Sequence, residues 1–244
     1  MGKERRELIA DLRERMRQME RAQRPARDKV LATGTPLDGL LPAGGIEAGT
    51  LTEWLSDGVG TGTMTLGLLV AGRILQRGGA LAVIDVEGQF YPPAAASLGI
   101  ALEHTVLVRP ANMRDALWAW EQALRCGAVG VTLGWLEGLH GRVYRRLQLA
   151  AEVGGGVGFL FRPQAYREEP SWAEVKLLVE PRALPRAAEG VVQSSGRRLR
   201  IELLHCRSGV GGKAVEVELS DEEAHVRLAP RLADPATTSR AAGA

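Results

Sequence analysis

The run from Gly44 to Glu87, GGIEAGTLTEWLSDGVGTGTMTLGLLVAGRILQRGGALAVIDVE, constrains the fold of this chain more than any other. It reads as a strand, a glycine-rich loop, a helix, and a second strand ending in Asp85 and Glu87. A loop of that kind at a helix N-terminus lets backbone N–H groups gather round a phosphate, so the order is that of a P-loop nucleotide site opening a parallel α/β sheet. The side-chain chemistry departs from the layout. A working loop needs G-x-x-x-x-G-K-[ST], with the lysine on the terminal phosphates and the hydroxyl on magnesium. Here Asp57 stands at the first glycine, Gly58 and Gly60 lie within the loop, and Gly62 is the second glycine. Thr63 and Met64 occupy the lysine and hydroxyl positions, with Thr65 as a displaced hydroxyl. A carboxylate repels phosphate, threonine carries no charge, and a thioether is a poor ligand for magnesium. No lysine lies between Lys29 and Lys176. These seven residues are expected to form a nucleotide cradle stripped of its catalytic parts, with no metal site and no cofactor.

Residues 1–29 differ in composition from the rest of the chain. Leu8, Ile9, Leu12, Met16 and Met19 recur at three- and four-residue spacing, which predicts an amphipathic helix. Pro25 closes it. Residues 30–229 then read as one α/β core, and residues 230–244 as a disordered tail. Net charge is only +2, so nucleic-acid binding does not follow from charge alone. No run is long and apolar enough for a membrane span, the N-terminus lacks the apolar stretch of a signal peptide, and Cys126 and Cys206 are isolated, so the expected location is cytoplasmic.

Within the core, strands are expected at Thr50–Leu55, Ala80–Val86, Ala128–Leu133, Gly158–Arg162 and Glu174–Glu180, the second ending where open sheets place their chemistry. Helices are expected over Leu66–Gln76, over Met113–Arg125 with Asn112 as cap, and over Leu139–Val153. The Met113–Arg125 helix turns Met113, Ala116, Leu117, Trp120 and Leu124 inward and leaves Trp118 outside as a candidate contact residue. The next helix presents Arg142, Arg145 and Arg146 outward. The strand Arg197–Arg207 alternates and returns through Ala214–Leu219 as a hairpin, with Arg197, Arg198, Arg200, Arg207 and Lys213 as a candidate basic patch.

The run Val30 to Leu55, the loop, the segment Val83 to Ile100 and the strand ending VLVRP resemble the ATPase core of RecA in order and spacing. The later runs GFLFRPQAYREEPSWAEVKLLVEP and GRRLRIELLHCRSGVGGKAVEVEL are similar to the ImuA family, degenerate RecA relatives that serve as accessory proteins in bacterial translesion synthesis. The resemblance implies a RecA-like P-loop core: a mostly parallel central sheet flanked by helices, a C-terminal antiparallel hairpin and an N-terminal helix. It implies that Glu87 matches the glutamate that orients the attacking water, the one catalytic-looking residue retained. It further implies that the strand ends lose their second acid, since Gly134 and Trp135 stand where a Walker B aspartate is expected, and that the long DNA-binding loops are missing.

The function so implied is a non-catalytic adaptor of a translesion complex in the SOS response to DNA damage. It joins an inactive Y-family-polymerase-like protein to an error-prone polymerase, with RecA a further candidate partner and contact with DNA, direct or indirect, left open. Leu8, Leu12 and Met16 on the N-terminal helix, Trp118, the helix arginines and the hairpin cations are its candidate partner or DNA contacts. Two alternatives stand beside it: an ATP- and magnesium-binding, DNA-dependent ATPase of recombinase type, and a cell-division inhibitor of SulA type.

Overall fold

The computed structural model describes residues 30–58, 60–183, 196–207, 211–220 and 225–228. The expected N-terminal helix and tail lie outside these residues. The described chain opens with β1 (Val30–Leu31), a short helix α1 (Leu37–Leu40) and β2 (Ile46–Glu47), β1 and β2 forming a small antiparallel sheet. The T-G-x-x-L-D entry is a turn built on Asp38, whose carboxylate accepts from the backbone N–H groups of Thr33 and Gly34 and from the Thr33 hydroxyl. Placing those donors on one acid fixes the entry to the core.

Then come β3 (Leu51–Ser56), α2 (Thr63–Leu75), β4 (Ala80–Ile84), α3 (Pro92–Ser97), β5 (Thr105–Val108), α4 (Met113–Arg125), β6 (Val129–Trp135), α5 (Gly141–Gly154), β7 (Val157–Pro163), β8 (Val175–Arg182), β9 (Gly196–Cys206), β10 (Ala214–Ser220) and β11 (His225–Leu228). Nine strands make the main sheet in the order β11-β10-β9-β8-β3-β7-β6-β4-β5. The six from β8 to β5 are parallel, and β9, β10 and β11 continue the sheet antiparallel. The expected hairpin is therefore part of the main sheet.

Because successive side chains on a strand face opposite ways, the sheet buries two apolar faces. One gathers Trp54, Val83, Leu133, Phe159 and Leu177 against α2; the other gathers Leu51, Ile84 and Leu160 against Trp120, Tyr144 and Leu147 of α4 and α5. Being covered on both sides is why β4, ALAVI, is continuously apolar. Glycine permits the closest approaches. A Cβ at Gly67 would lie 2.5 Å from the Phe161 ring, and one at Gly154 would overlap the Leu124 carbonyl.

Three expectations change. The helix after the loop begins at Thr63, not Leu66, because Gly62 in the left-handed region (φ 84°) lets the chain turn straight into it. Met113, expected inside, is 40% exposed, since it is the first residue of α4 and sits beyond the end of the sheet. Arg198, expected on an outer face, is 7% exposed, between Glu216 and Glu218 of β10 at 3.7 Å from each.

Candidate functional site

The C-terminal ends of β3, β4, β6 and β7 surround a cavity of about 470 Å³. Its floor is the loop after β3, where Gly58, Gly60 and Gly62 all have φ between 82° and 87°. Thr61 closes the loop on itself: its hydroxyl donates to the Gly58 carbonyl at 3.3 Å and lies 3.0 Å from the Thr63 hydroxyl. Thr61 and Thr63 are buried, while Asp57 is exposed and points away from the lining. Leu199 of β9 packs where a Gly62 side chain would be, and Arg197 donates to the Gly60 carbonyl at 3.4 Å. The antiparallel extension thus braces the loop from the side.

Asp85 is buried just past β4, and its carboxylate accepts from the backbone N–H groups of Gln89 and Phe90 at 2.8 and 3.1 Å. Those bonds hold the turn after the strand. Glu87 is exposed and accepts from the Gln89 side chain at 2.8 Å. At the end of β6 the cavity wall is Trp135, which packs 5.9 Å from Phe161. Gly134 faces the other way, where a Cβ would stand 2.4 Å from the Ile84 carbonyl oxygen and 2.8 Å from the Trp120 indole nitrogen. Glu137, Met64, Thr65 and Met113 complete the lining with Phe161, Arg162 and Pro163. Asp85, Glu87 and Glu137 therefore face two guanidiniums, Arg162 and Arg197.

Arg162 already serves a buried network that sequence reading missed. Glu53, in the middle of β3 and fully buried, accepts from Arg162 at 2.9 Å and from the Tyr144 hydroxyl. Arg162 also donates to Glu169 at 2.9 Å, and its guanidinium lies 4.0 Å from the centre of the Tyr166 ring. Lys176 points away from the cavity floor. Its ammonium donates to the carbonyls of Tyr166, Arg167 and Glu169, each at 2.8 Å, and stands 3.7 Å from Glu53. Burial and then the Glu53 charge push the Tyr144 hydroxyl well above its ordinary pKa. Burial lowers that of Lys176 against the pull of Glu53; Arg162 feels the same burial, but Glu169 and Glu53 outweigh it and its pKa rises. The signal was present: Glu53, Arg162 and Lys176 are each the single charged residue of a mostly buried stretch, LTEWL, GFLFRP and VKLLV. A lone charge in a buried strand needs a partner.

The remaining candidates are scattered. Trp118 is 64% exposed on α4. Arg142, Arg145 and Arg146 are exposed on α5, with Arg146 paired to Glu121 at 2.8 Å and Arg145 over the Trp172 ring at 5.8 Å. Arg200 binds Glu180 and Glu202, and strand alternation sets it and Arg198 on the face opposite Arg197. Arg207 and Lys213 flank the turn at the far end of β9, so the five hairpin cations do not form one surface. The connections expected to be short are residues 136–140 and 164–174. Leu8, Leu12 and Met16 lie outside the described residues. Among the described residues no cluster of three or more His, Cys, Asp or Glu is gathered for a metal, and no helix is long and apolar enough to cross a membrane.

Residues 15–134 match the RecA N-terminal domain family. The chain is 27% identical to Protein ImuA of Caulobacter vibrioides strain NA1000, across 88% of this chain and 94% of that protein. It is 38% identical to the cell division inhibitor SulA of Photorhabdus laumondii over 31% of this chain and 43% of SulA. Protein RecA of Deinococcus radiodurans is 34% identical over 43% of this chain and 29% of RecA.

Proposed function

We propose that this chain, a RecA-like protein similar to ImuA along most of its length, is a non-catalytic component of translesion DNA synthesis in the SOS response. It acts as an adaptor between an inactive Y-family-polymerase-like protein and an error-prone polymerase. The observation that carries this reading is the similarity to ImuA across nearly the whole of both chains, where similarity to RecA and SulA is partial. The cavity supports its non-catalytic half. A nucleoside triphosphate brings several negative charges, and the lining sets three carboxylates against two guanidiniums, of which Arg162 is already engaged by Glu53 and Glu169. At the position from which a lysine would reach phosphate there is Thr63, turned onto Thr61. Glu87, the candidate for orienting water, has neither that lysine nor a magnesium hydroxyl beside it, and positioning and charge neutralisation are most of what phosphoryl-transfer catalysis needs.

A second reading, an ATP-binding recombinase-type protein, is favoured by one observation: the three left-handed glycines and the open cavity keep the shape of a phosphate cradle. One experiment separates the two, equilibrium binding of magnesium ATP to the full chain with and without single-stranded DNA. The adaptor reading expects no binding up to millimolar nucleotide, whereas micromolar binding supports the recombinase reading. The adaptor's partners are then tested directly, by measuring association of the purified chain with the Y-family-like protein and the error-prone polymerase; failure to bind either one ends the adaptor assignment.

A further inference from the structure

The charged residues that line the cavity are Asp85, Glu87, Glu137, Arg162 and Arg197. Arg162 is neutralised by Glu53 and Glu169. Arg197 enters from β9 at the loop end and donates to the Gly60 carbonyl. The three acids come from the other side, where β4 and β6 are neighbours. Ile84 pairs with Gly134; Asp85 and Trp135 come next along the two chains, and Glu87 and Glu137 follow two residues later. The cavity is therefore polarised, with its negative end against Trp135.

That end lacks a counter-charge. Among the described residues none of the three acids makes an ion pair, whereas Glu53, Glu180, Glu202 and Glu218, beside arginines elsewhere on the sheet, all do. Asp85 is 1% exposed, and its partners are two backbone N–H groups, those of Gln89 and Phe90. A carboxylate that deep ordinarily has a cation beside it. Arg109 and Arg114 are exposed and stand outside the lining, as does Asp57. The floor has no such deficit, because the Thr61 and Thr63 hydroxyls meet each other and Arg197 covers the Gly60 carbonyl. The N-terminus of α2 there disfavours positive charge, which confines a cation to the β4–β6 end.

The shape and the apolar surface say which cation. Trp135 is half-buried, packed on Phe161 and open to the cavity, and Met64, Met113 and Pro163 add apolar wall. Among the described residues no three acids are close enough to hold a metal. An apolar stem with a charged head suits this lining better, and a volume of about 470 Å³ accommodates such a side chain together with its flanking backbone. Of the two cationic side chains, lysine is compact and strongly hydrated. The guanidinium of arginine is planar, stacks on an indole face and donates to more than one carboxylate.

We propose that the cavity receives an arginine side chain of a partner protein, its guanidinium on the Trp135 ring and ringed by the carboxylates of Asp85, Glu87 and Glu137. The partner's being a protein rests on the adaptor reading; the chemistry of the pocket does not. A place built for phosphate is on this account turned to the opposite charge.

Titration of the full chain, labelled with nitrogen-15 in its tryptophan indoles, with the blocked peptide glycyl-arginyl-glycine tests it. The Trp135 signal, identified by its loss in Trp135→Phe, is expected to move and saturate at millimolar peptide while that of exposed Trp118 stays still. The same peptide with citrulline, isosteric and uncharged, should bind about ten-fold more weakly, and so should the arginyl peptide to the double variant Glu87→Gln, Glu137→Gln. Both glutamates are exposed, so the variant keeps its fold, which the dispersion of the other indole signals verifies. A Trp135 signal that ignores the arginyl peptide to tens of millimolar would overturn the proposal. Equal response to citrulline would replace the cation site by an apolar groove, and a response to magnesium chloride alone would replace it by a metal site. Because the probe is a synthetic peptide, the pocket and the adaptor assignment can fail separately.

Discussion

Glu53 is the residue on which the buried chemistry turns. It sits in the central strand with two cations and a phenol around it, all inside the sheet's α5 face. Replacing only the acid leaves Arg162 and Lys176 buried with less to neutralise them, so Glu53→Gln should cost about 3 to 5 kcal/mol in urea unfolding. Tyr144 makes the same site sensitive to alkali. An unfolded tyrosine ionises near pH 10, while the folded Tyr144 holds its proton to well above that. Above pH 10 the unfolded chain therefore binds fewer protons than the folded one, and stability falls as pH rises. Lys176, with its pKa lowered, works in the opposite sense over the range below 10.5 and softens the slope. Tyr144→Phe should flatten the loss between pH 9.5 and 11, roughly the titration range of a free tyrosine, as read from urea midpoints at each pH. An unchanged slope would place the alkaline loss elsewhere.

Among the elements, β6 shows why the loop cannot be repaired one residue at a time. Gly134 is wedged between the Ile84 carbonyl and Trp120, so Gly134→Asp should destabilise by about 3 kcal/mol or more without presenting an acid to the cavity, which Trp135 faces. Thermal unfolding of the variant checks it; a stable Gly134→Asp protein would mean the strand can shift. The elements themselves were largely legible in the sequence. Continuous apolar runs such as ALAVI announce strands buried on both faces, and Asn112 caps α4 where expected, its side chain accepting from the Asp115 N–H at 3.0 Å. What could not be read was lateral. Nothing in residues 196–219 says that their hairpin joins the parallel sheet through β8, or that Leu199 reaches across to Gly62. Likewise the alternation that placed Arg198 outside was correct for the strand, but it carried no information about the two glutamates of β10 that enclose it. The candidate site was legible as a cradle, because glycine spacing is local; its walls come from strands far apart in the chain.

For the whole molecule, the sharpest expectation concerns nucleotide. A site binding magnesium ATP with a dissociation constant of about 10 μM would be stabilised by about 2.7 kcal/mol at a hundred-fold excess over that constant. For a chain of this size that raises the melting temperature by about 5 to 10 °C. We expect no rise at 1 mM magnesium ATP, by scanning calorimetry of the full chain. A clear rise would return Glu87 and the glycine loop to the list of working parts.

The order of strands in the sheet also governs how the chain is born. β3 is synthesised early, yet its two neighbours are β7 and β8, so Leu51 must wait for Gly158 and Thr52 for Val175. At ribosomal speeds of about 5 to 20 residues per second, this central strand, buried along almost its whole length in the finished sheet, stands with both edges unpaired for many seconds. A nascent chain of this kind depends on chaperone cover until β8 emerges, and slowing translation before residue 175 should shift newly made protein from the soluble to the aggregated fraction.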